Sequence, residues 1–294
     1  MILMRFLMPC TLSYERSLHY MMLAPSTKPD IAAQFGRSAA RYAHTATVQY
    51  QGAERLFCLL DQRTRARIHC VLDLGCGPGV HTQRLQGIGG LYHGLDISEG
   101  MIAQARQAHP SADFICADME SMPFEDGRFD LVFSNFAMQW ATSPEVLIRE
   151  MTRIMCDGGE SYFTVVLEQS LSPLLPLRQA FAQKERPEII DALQTERHAS
   201  FAQWHGALID HGLRIEYAQH ETFRAWFPTI QALIQSVSKI GADRPHPAAP
   251  MHGRAPRLTR NELSALTVGY ERFREPKGLP LDYQVGIFKV SKLV

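Results

Sequence analysis

From Ile68 to Val166 the chain alternates short apolar runs with segments whose apolar residues recur every three or four positions. The runs "IHCVLDLG", "YHGLDI", "DFICAD", "FDLVFSN" and "SYFTVV" predict five strands. Between the first two, "VHTQRLQGI" reads as a helix opening, and "SEGMIAQARQAH" predicts a helix with Ser98 as its N-cap. In "SPEVLIREMTRIM", Val146, Leu147, Met151, Ile154 and Met155 fall at helical spacing. Strands alternating with helices imply βαβ units and a mainly parallel sheet covered on both faces. After Val166 the pattern changes. "SLSPLLPLRQAFAQK" and "ASFAQWHGALIDHG" read as helices, "LRIEYAQHETFRAWF" as a long strand, and "TIQALIQSVSKIGA" as another helix. A last helix, "LTRNELSALTVGYERFR", and a last strand, "LDYQVGIFKVSK", close the chain. The reading is one domain over residues 29–294, with a helical insertion over about 168–212 and a Pro-rich loop over about 243–257.

Residues 1–28 are set aside as an uncertain N-terminal extension. "MILMRFLMPC" is apolar, but Arg5 interrupts it and no clean small-residue cleavage site follows, so Met21 or Met22 reads as the true start. Formal net charge is zero, so no global bias points to nucleic acid or to an acidic membrane. No apolar run approaches the roughly 18 residues needed to span a bilayer. The six cysteines form no C-x-x-C pair and no zinc-ligand spacing, which implies a reducing compartment, cytoplasm by default, and no metal site.

Candidate chemistry sits in "VLDLGCGPGVHT", where the first strand runs into Gly75, Gly77 and Gly79. Glycines at the carboxyl end of a strand let the backbone approach a ligand where Cβ atoms would clash. The dinucleotide fingerprint G-x-G-x-x-G fails, because its third position is Val80. An acid, Asp73, lies inside the strand end, and Cys76 reads as a packing residue rather than a nucleophile. Asp96 ends the second strand about twenty positions after Gly75, where a carboxylate accepts from ribose hydroxyls. Asp118 ends the third strand. His81 and His93 flank the motif and read as surface residues.

The G-x-G-x-G order behind Asp73, with acids at the next two strand ends, resembles class I S-adenosylmethionine-dependent methyltransferases. That resemblance implies a Rossmann-like fold: a seven-stranded, mostly parallel sheet with helices on both faces and a helical lid inserted after strand five. It implies S-adenosyl-L-methionine as cofactor, held by Asp73, Gly75, Gly77, Gly79, Asp96, Ile97, Asp118, Met119 and Asn135. Asp118 would take the adenine amino group, and the Met119 amide the ring.

Three stretches narrow the family. "SNFAMQW", "IAAQFGRSAARYAHTATVQ" and "LTRNELSALTVGYERFREPKGLPLDYQV" are similar to segments of the malonyl-acyl-carrier-protein O-methyltransferases of biotin synthesis. The chain departs from that pattern at "MCDGG", where Cys156 and Asp157 replace an arginine and a proline, at Asp282 and Gln284, and in a longer loop from Asp243 to Pro256. The resemblance implies methyl transfer to the carboxylate of a malonyl thioester on acyl carrier protein or CoA. That carboxylate, with an ordinary pKa near ~4, is ionised at neutral pH and needs no general base. Arg37, Tyr42, Gln139 and Trp140 are the candidates to position it. From Arg244 to Asn261 there is no Asp or Glu, so Arg244, Arg254, Arg257 and Arg260 are candidates to dock an acidic carrier protein. Two other readings stay open. Methyl transfer to a small acceptor such as a quinone ring carbon would favour a base in place of Gln139 and Trp140. A non-catalytic partner protein of the same fold is the other, and intact Gly75, Gly77, Asp96 and Asp118 argue against it.

Overall fold

Seven strands form one sheet in the computed structural model, which describes residues 28, 47–60, 67–190, 193, 198–239 and 258–293. They are β1 (Cys70–Leu74), β2 (Leu91–Asp96), β3 (Asp113–Cys116), β4 (Phe129–Asn135), β5 (Met155–Val166), β6 (Leu213–Phe227) and β7 (Leu279–Lys292). Their order is β3-β2-β1-β4-β5-β7-β6. The pairs from β3 through β5 are parallel, and β7 runs antiparallel between β5 and β6. All five residues of β1 are buried, as a strand covered on both faces requires. All seven strands read from the sequence are present.

Helices α1 (Thr47–Leu59), α2 (Thr82–Gln86), α3 (Glu99–Ala108), α4 (Pro144–Ile154), α5 (Leu174–Glu185), α6 (Phe201–Asp210), α7 (Ile230–Lys239) and α8 (Arg260–Glu271) cover the sheet. Their starts follow capping chemistry. Ser98 accepts from the Met101 amide, Ser143 from Val146 with Pro144 in the first turn, and Thr259 from Glu262. Ser200 and Gln203 form a reciprocal capping box at α6. On one face Leu56 and Phe57 of α1 pack with Phe133, Tyr162, Leu233 of α7 and Leu266 of α8. On the other, Leu147, Ile148 and Met151 of α4 pack with Trp204 and Leu208 of α6, Phe163 and Phe288. Each fully buried Leu or Phe contributes roughly 1.5–3 kcal/mol of transfer free energy.

The insertion expected over 168–212 divides between these layers. α6 packs on α4 and β6, as an ordinary crossover helix does. α5 instead packs on α8, which belongs to a second excursion, between β6 and β7. The two are stapled by Glu262, fully buried, which accepts from Arg178 Nε at 2.7 Å and lies 3.4 Å from Arg186. Helices from the two excursions thus pack on each other. Among the described residues no helix is long and apolar enough to cross a membrane.

Candidate active site

Strand order reverses between β1 and β4, and ligands of open α/β sheets bind at such switch points. Here the chain leaves β1 through Gly75, Gly77 and Gly79, with φ of 74°, 54° and 82°. Left-handed backbone of this kind strains any residue with a Cβ. A methyl carbon added at Gly75 would lie 2.1 Å from the Ala137 methyl, so the turn after β4 seats directly on that glycine. At Gly77 an added Cβ would meet nothing within 4 Å, which leaves its backbone open to the cleft.

The cleft opens to solvent. Of the residues expected to hold a cofactor, Gly75, Gly77, Asp96, Ile97, Met119 and Asn135 line it together. Trp140, expected on the acceptor side, lines it too, as do Met101, Phe136 and Ala137, which sequence reasoning missed. Asp96 Oδ2 accepts from the Gly77 amide at 3.0 Å and Oδ1 from Ser98 at 2.8 Å. Burial pushes its carboxyl up to about 6, and those two amides oppose the rise.

Asp73 does not line the cleft. It lies beneath the glycine loop, 2% exposed, and accepts from the Tyr92 hydroxyl at 3.1 Å. Tyr92 in turn meets Thr82 Oγ1 at 2.9 Å. Burial raises the Asp73 carboxyl to about 7, the Asp96 charge adds to this, and the Tyr92 bond opposes it. Burial, with Asp73 and Asp96 nearby, also pushes the Cys76 thiol well up, so it is no nucleophile at neutral pH.

Asp118 stands at the margin. Its Oδ2 is 2.6 Å from Lys28 Nζ, which also pairs with Glu120, and its Oδ1 accepts from the Glu120 amide at 3.0 Å. Glu120 accepts as well from Thr142 N at 2.6 Å and Thr142 Oγ1 at 2.8 Å. The loop after β3 is thereby tied to the loop that follows the β4 turn.

The opposite wall is the turn Asn135–Ala137 and a 3-10 turn, Met138–Trp140. Asn135 Nδ2 donates to the Gln49 carbonyl of α1 at 2.9 Å and comes within 3.4 Å of His81 Nε2. Phe136 has φ 53°, a conformation that costs a bulky residue about 1–3 kcal/mol. Gln139 is buried, and its Nε2 donates to the Phe136 carbonyl at 2.8 Å, so this amide shapes the wall from beneath. Trp140 meets the His198 ring edge-on at 6.1 Å.

α1 packs against this wall. A Cβ at Gly52 would lie 2.5 Å from Phe136 Cε2 and 2.7 Å from Asn135 Oδ1, so only glycine lets the helix come this close. Of the two histidines expected at the surface, His93 is buried and His81 half-buried. His81 sits against Phe57 and Phe133 at 6.0 and 5.7 Å, and burial, helped by the Arg84 charge and opposed by Glu54, lowers its pKa to about 4. His93 is 8% exposed, with Nδ1 2.6 Å from Asp113 and Nε2 3.1 Å from Arg128. Both rings fill space that the alternation of the sequence does not reveal. Arg37, Tyr42, Arg244, Arg254 and Arg257 lie outside the described residues, and Arg260 is exposed at the start of α8. Among the described residues no group of three His, Cys, Asp or Glu could hold a metal ion.

The family model described as "Methyltransferase domain" matches residues 72–163. A malonyl-[acyl-carrier protein] O-methyltransferase of Enterobacter lignolyticus (strain SCF1) is 33% identical over 265 residues, which are 90% of this chain and 97% of that protein. The chain belongs to the malonyl-[acyl-carrier protein] O-methyltransferase family. As a member it is an S-adenosyl-L-methionine-dependent methyltransferase. The biotin biosynthesis bifunctional protein BioHC of Cellvibrio japonicus (strain Ueda107) is 32% identical over 263 residues, 88% of this chain. The chain spans 49% of that longer protein. Among solved structures, a candidate methyltransferase of Bacillus halodurans C-125 has a TM-score of 0.54 at 17% identity, over 82% of this chain and 98% of that one. At that identity the likeness is one of fold.

Two features of the cleft fit the family's cofactor: a glycine loop whose open backbone a side chain would obstruct, and a carboxylate at the end of β2 held by two amides.

Proposed function

We propose that the chain methylates the free carboxylate of a malonyl thioester on acyl carrier protein, the step that primes pimeloyl synthesis for biotin, in the cytoplasm. The observation that carries this reading is the agreement between the family relationship, which spans 97% of one relative, and a cleft walled by Gly75, Gly77, Asp96 and Trp140. When bound, S-adenosyl-L-methionine supplies a methyl group already activated as a sulfonium. Asp96 accepts from the ribose hydroxyls, Asp118 from the adenine amino group, and the Met119 amide contacts the ring, while Asp73 and Gly79 keep the loop in shape. Trp140 walls the acceptor side, and Arg37 and Tyr42 hold the malonyl carboxylate. Gln139 acts through the Phe136 carbonyl to which it donates. No side chain is asked to remove a proton, because the acceptor is already ionised. His81, with its low pKa and its Nε2 beside Asn135, is poorly suited to such a task. The work left to the protein is alignment and exclusion of water.

Docking of the carrier falls to Arg244, Arg254, Arg257 and Arg260, in a stretch with no acidic residue. Reversing charge at Arg254 and Arg257 should raise KM for malonyl-carrier protein through slower association, and leave malonyl-CoA turnover unchanged. A transfer assay with malonyl-carrier protein, malonyl-CoA and free malonate tests the acceptor class. Turnover of the thioesters over free malonate is expected, and methylation of none of the three would contradict the reading.

A further inference from the structure

One buried hydroxyl meets two residues of the wall opposite the glycine loop. Thr164, fully buried in β5, donates from Oγ1 to Asn135 Oδ1 at 2.8 Å. The same oxygen accepts from the Phe136 amide at 3.1 Å, and so does the Thr164 carbonyl, also at 3.1 Å. From the other side the Phe136 carbonyl accepts from Gln139. Phe136, left-handed, is thus fixed at both of its peptide groups. Its ring meets α1 at Gly52 and stands 6.4 Å from Phe223 of β6. The next residue, Ala137, sits on Gly75 with no room for a methyl group between them. Any relaxation of Phe136 toward ordinary backbone angles would move this wall relative to the glycine loop.

We propose that Thr164 is a positioning residue for methyl transfer: by satisfying Asn135 and Phe136 from beneath, it fixes the spacing between the two walls of the cleft. The inference rests on the methyltransferase reading above. A hydroxyl is required because one atom must donate to Asn135 and accept from Phe136. Valine has the shape without either function, and serine has both. Asp96 ends β2, Asp118 and Met119 follow β3, and among the described residues no hydrogen bond joins these three to Thr164; of the residues expected to hold the cofactor, Thr164 bonds Asn135. Loss of the hydroxyl should therefore degrade alignment more than cofactor binding.

The test uses the full chain as wild type, Thr164→Val, Thr164→Ser and Thr164→Cys, with kcat and KM for malonyl-carrier protein and calorimetric Kd for S-adenosylhomocysteine. Thr164→Val should lose about tenfold in kcat, as sub-ångström misplacement of reacting groups does, with Kd within about threefold of wild type. Thr164→Ser should recover most of the loss. If the valine variant does not fold, the cysteine variant, whose thiol is a weak donor, should show the same split in milder form. A valine or cysteine variant at wild-type kcat would overturn the proposal. So would kcat and Kd falling in parallel, or serine performing no better than valine. Wild-type protein that methylates no malonyl thioester would overturn the functional reading and this inference together, whereas failure of the inference alone shows in the ratios between variants and wild type.

Discussion

The two walls of the cleft are assembled over different distances in the chain. The first runs from Asp73 to Ser98: one strand, a glycine loop, a short helix, and a second strand whose terminal Asp96 accepts from the Gly77 amide. Everything in it is backbone geometry and local hydrogen bonding. The second, Asn135–Trp140, is held by Gln49 and Gly52 of α1 and by Thr164 of β5, all remote in sequence. A ligand that only needs binding can rest on the local wall. Chemistry that needs two groups brought together at a set distance depends on the wall that reports the tertiary fold. Substitutions in the first wall should act on cofactor affinity, and substitutions in the second on turnover.

The largest effect is expected where the walls touch. Gly75→Ala adds a methyl 2.1 Å from Ala137 at a φ of 74°, and should cost about 3 kcal/mol or more in stability and abolish cofactor binding. Thermal melting and calorimetry with S-adenosylhomocysteine check both. Next is Asp96→Ala, which removes a hydrogen-bonded charged group and should weaken S-adenosylhomocysteine by about 1.5–3 kcal/mol with the fold intact. Unchanged affinity in that variant would remove the cofactor role of the first wall. Gly52→Leu should destabilise by about 1–3 kcal/mol, because α1 must back away from Phe136. It should lower kcat more than cofactor affinity, and the reverse pattern would erase the distinction between the walls.

The first wall also responds to pH. Asp73 binds its proton more tightly in the folded state, where its pKa is about 7, than unfolded near ~4. Its contribution to stability is complete below the unfolded value and is lost as pH rises through the folded one. Asp96, raised to about 6, acts in the same sense over a narrower window. Melting temperature should therefore drift down between about pH 4 and pH 7, and Asp73→Asn should flatten most of that slope. An identical slope in the variant would contradict the buried position of the carboxyl.

This difference between local and remote assembly also decided what could be read from the sequence. Strand alternation and the cap at Ser98 are local, and the structure carries the seven strands where the apolar pattern puts them. Gly75, Gly77 and Asp96 are local as well, and they line the cleft. Phe136 carried no signal, because its left-handed backbone is imposed by Thr164 and Gln139 and not by its own preference. α1 went unread for a similar reason. The need for glycine at position 52 shows only once Phe136 is seen against it. Gln139 was legible as part of a family segment, but its hydrogen bond to the wall was not.

The most direct measurement is the chemical position of the transferred methyl group in product made from malonyl-carrier protein and S-adenosyl-L-methionine. Transfer to an ionised carboxylate should give a methyl ester, released as methanol by mild alkali. A methyl group that survives alkali, bonded to carbon, would contradict carboxyl methylation and return the chain to the small-acceptor branch of methyltransferase chemistry.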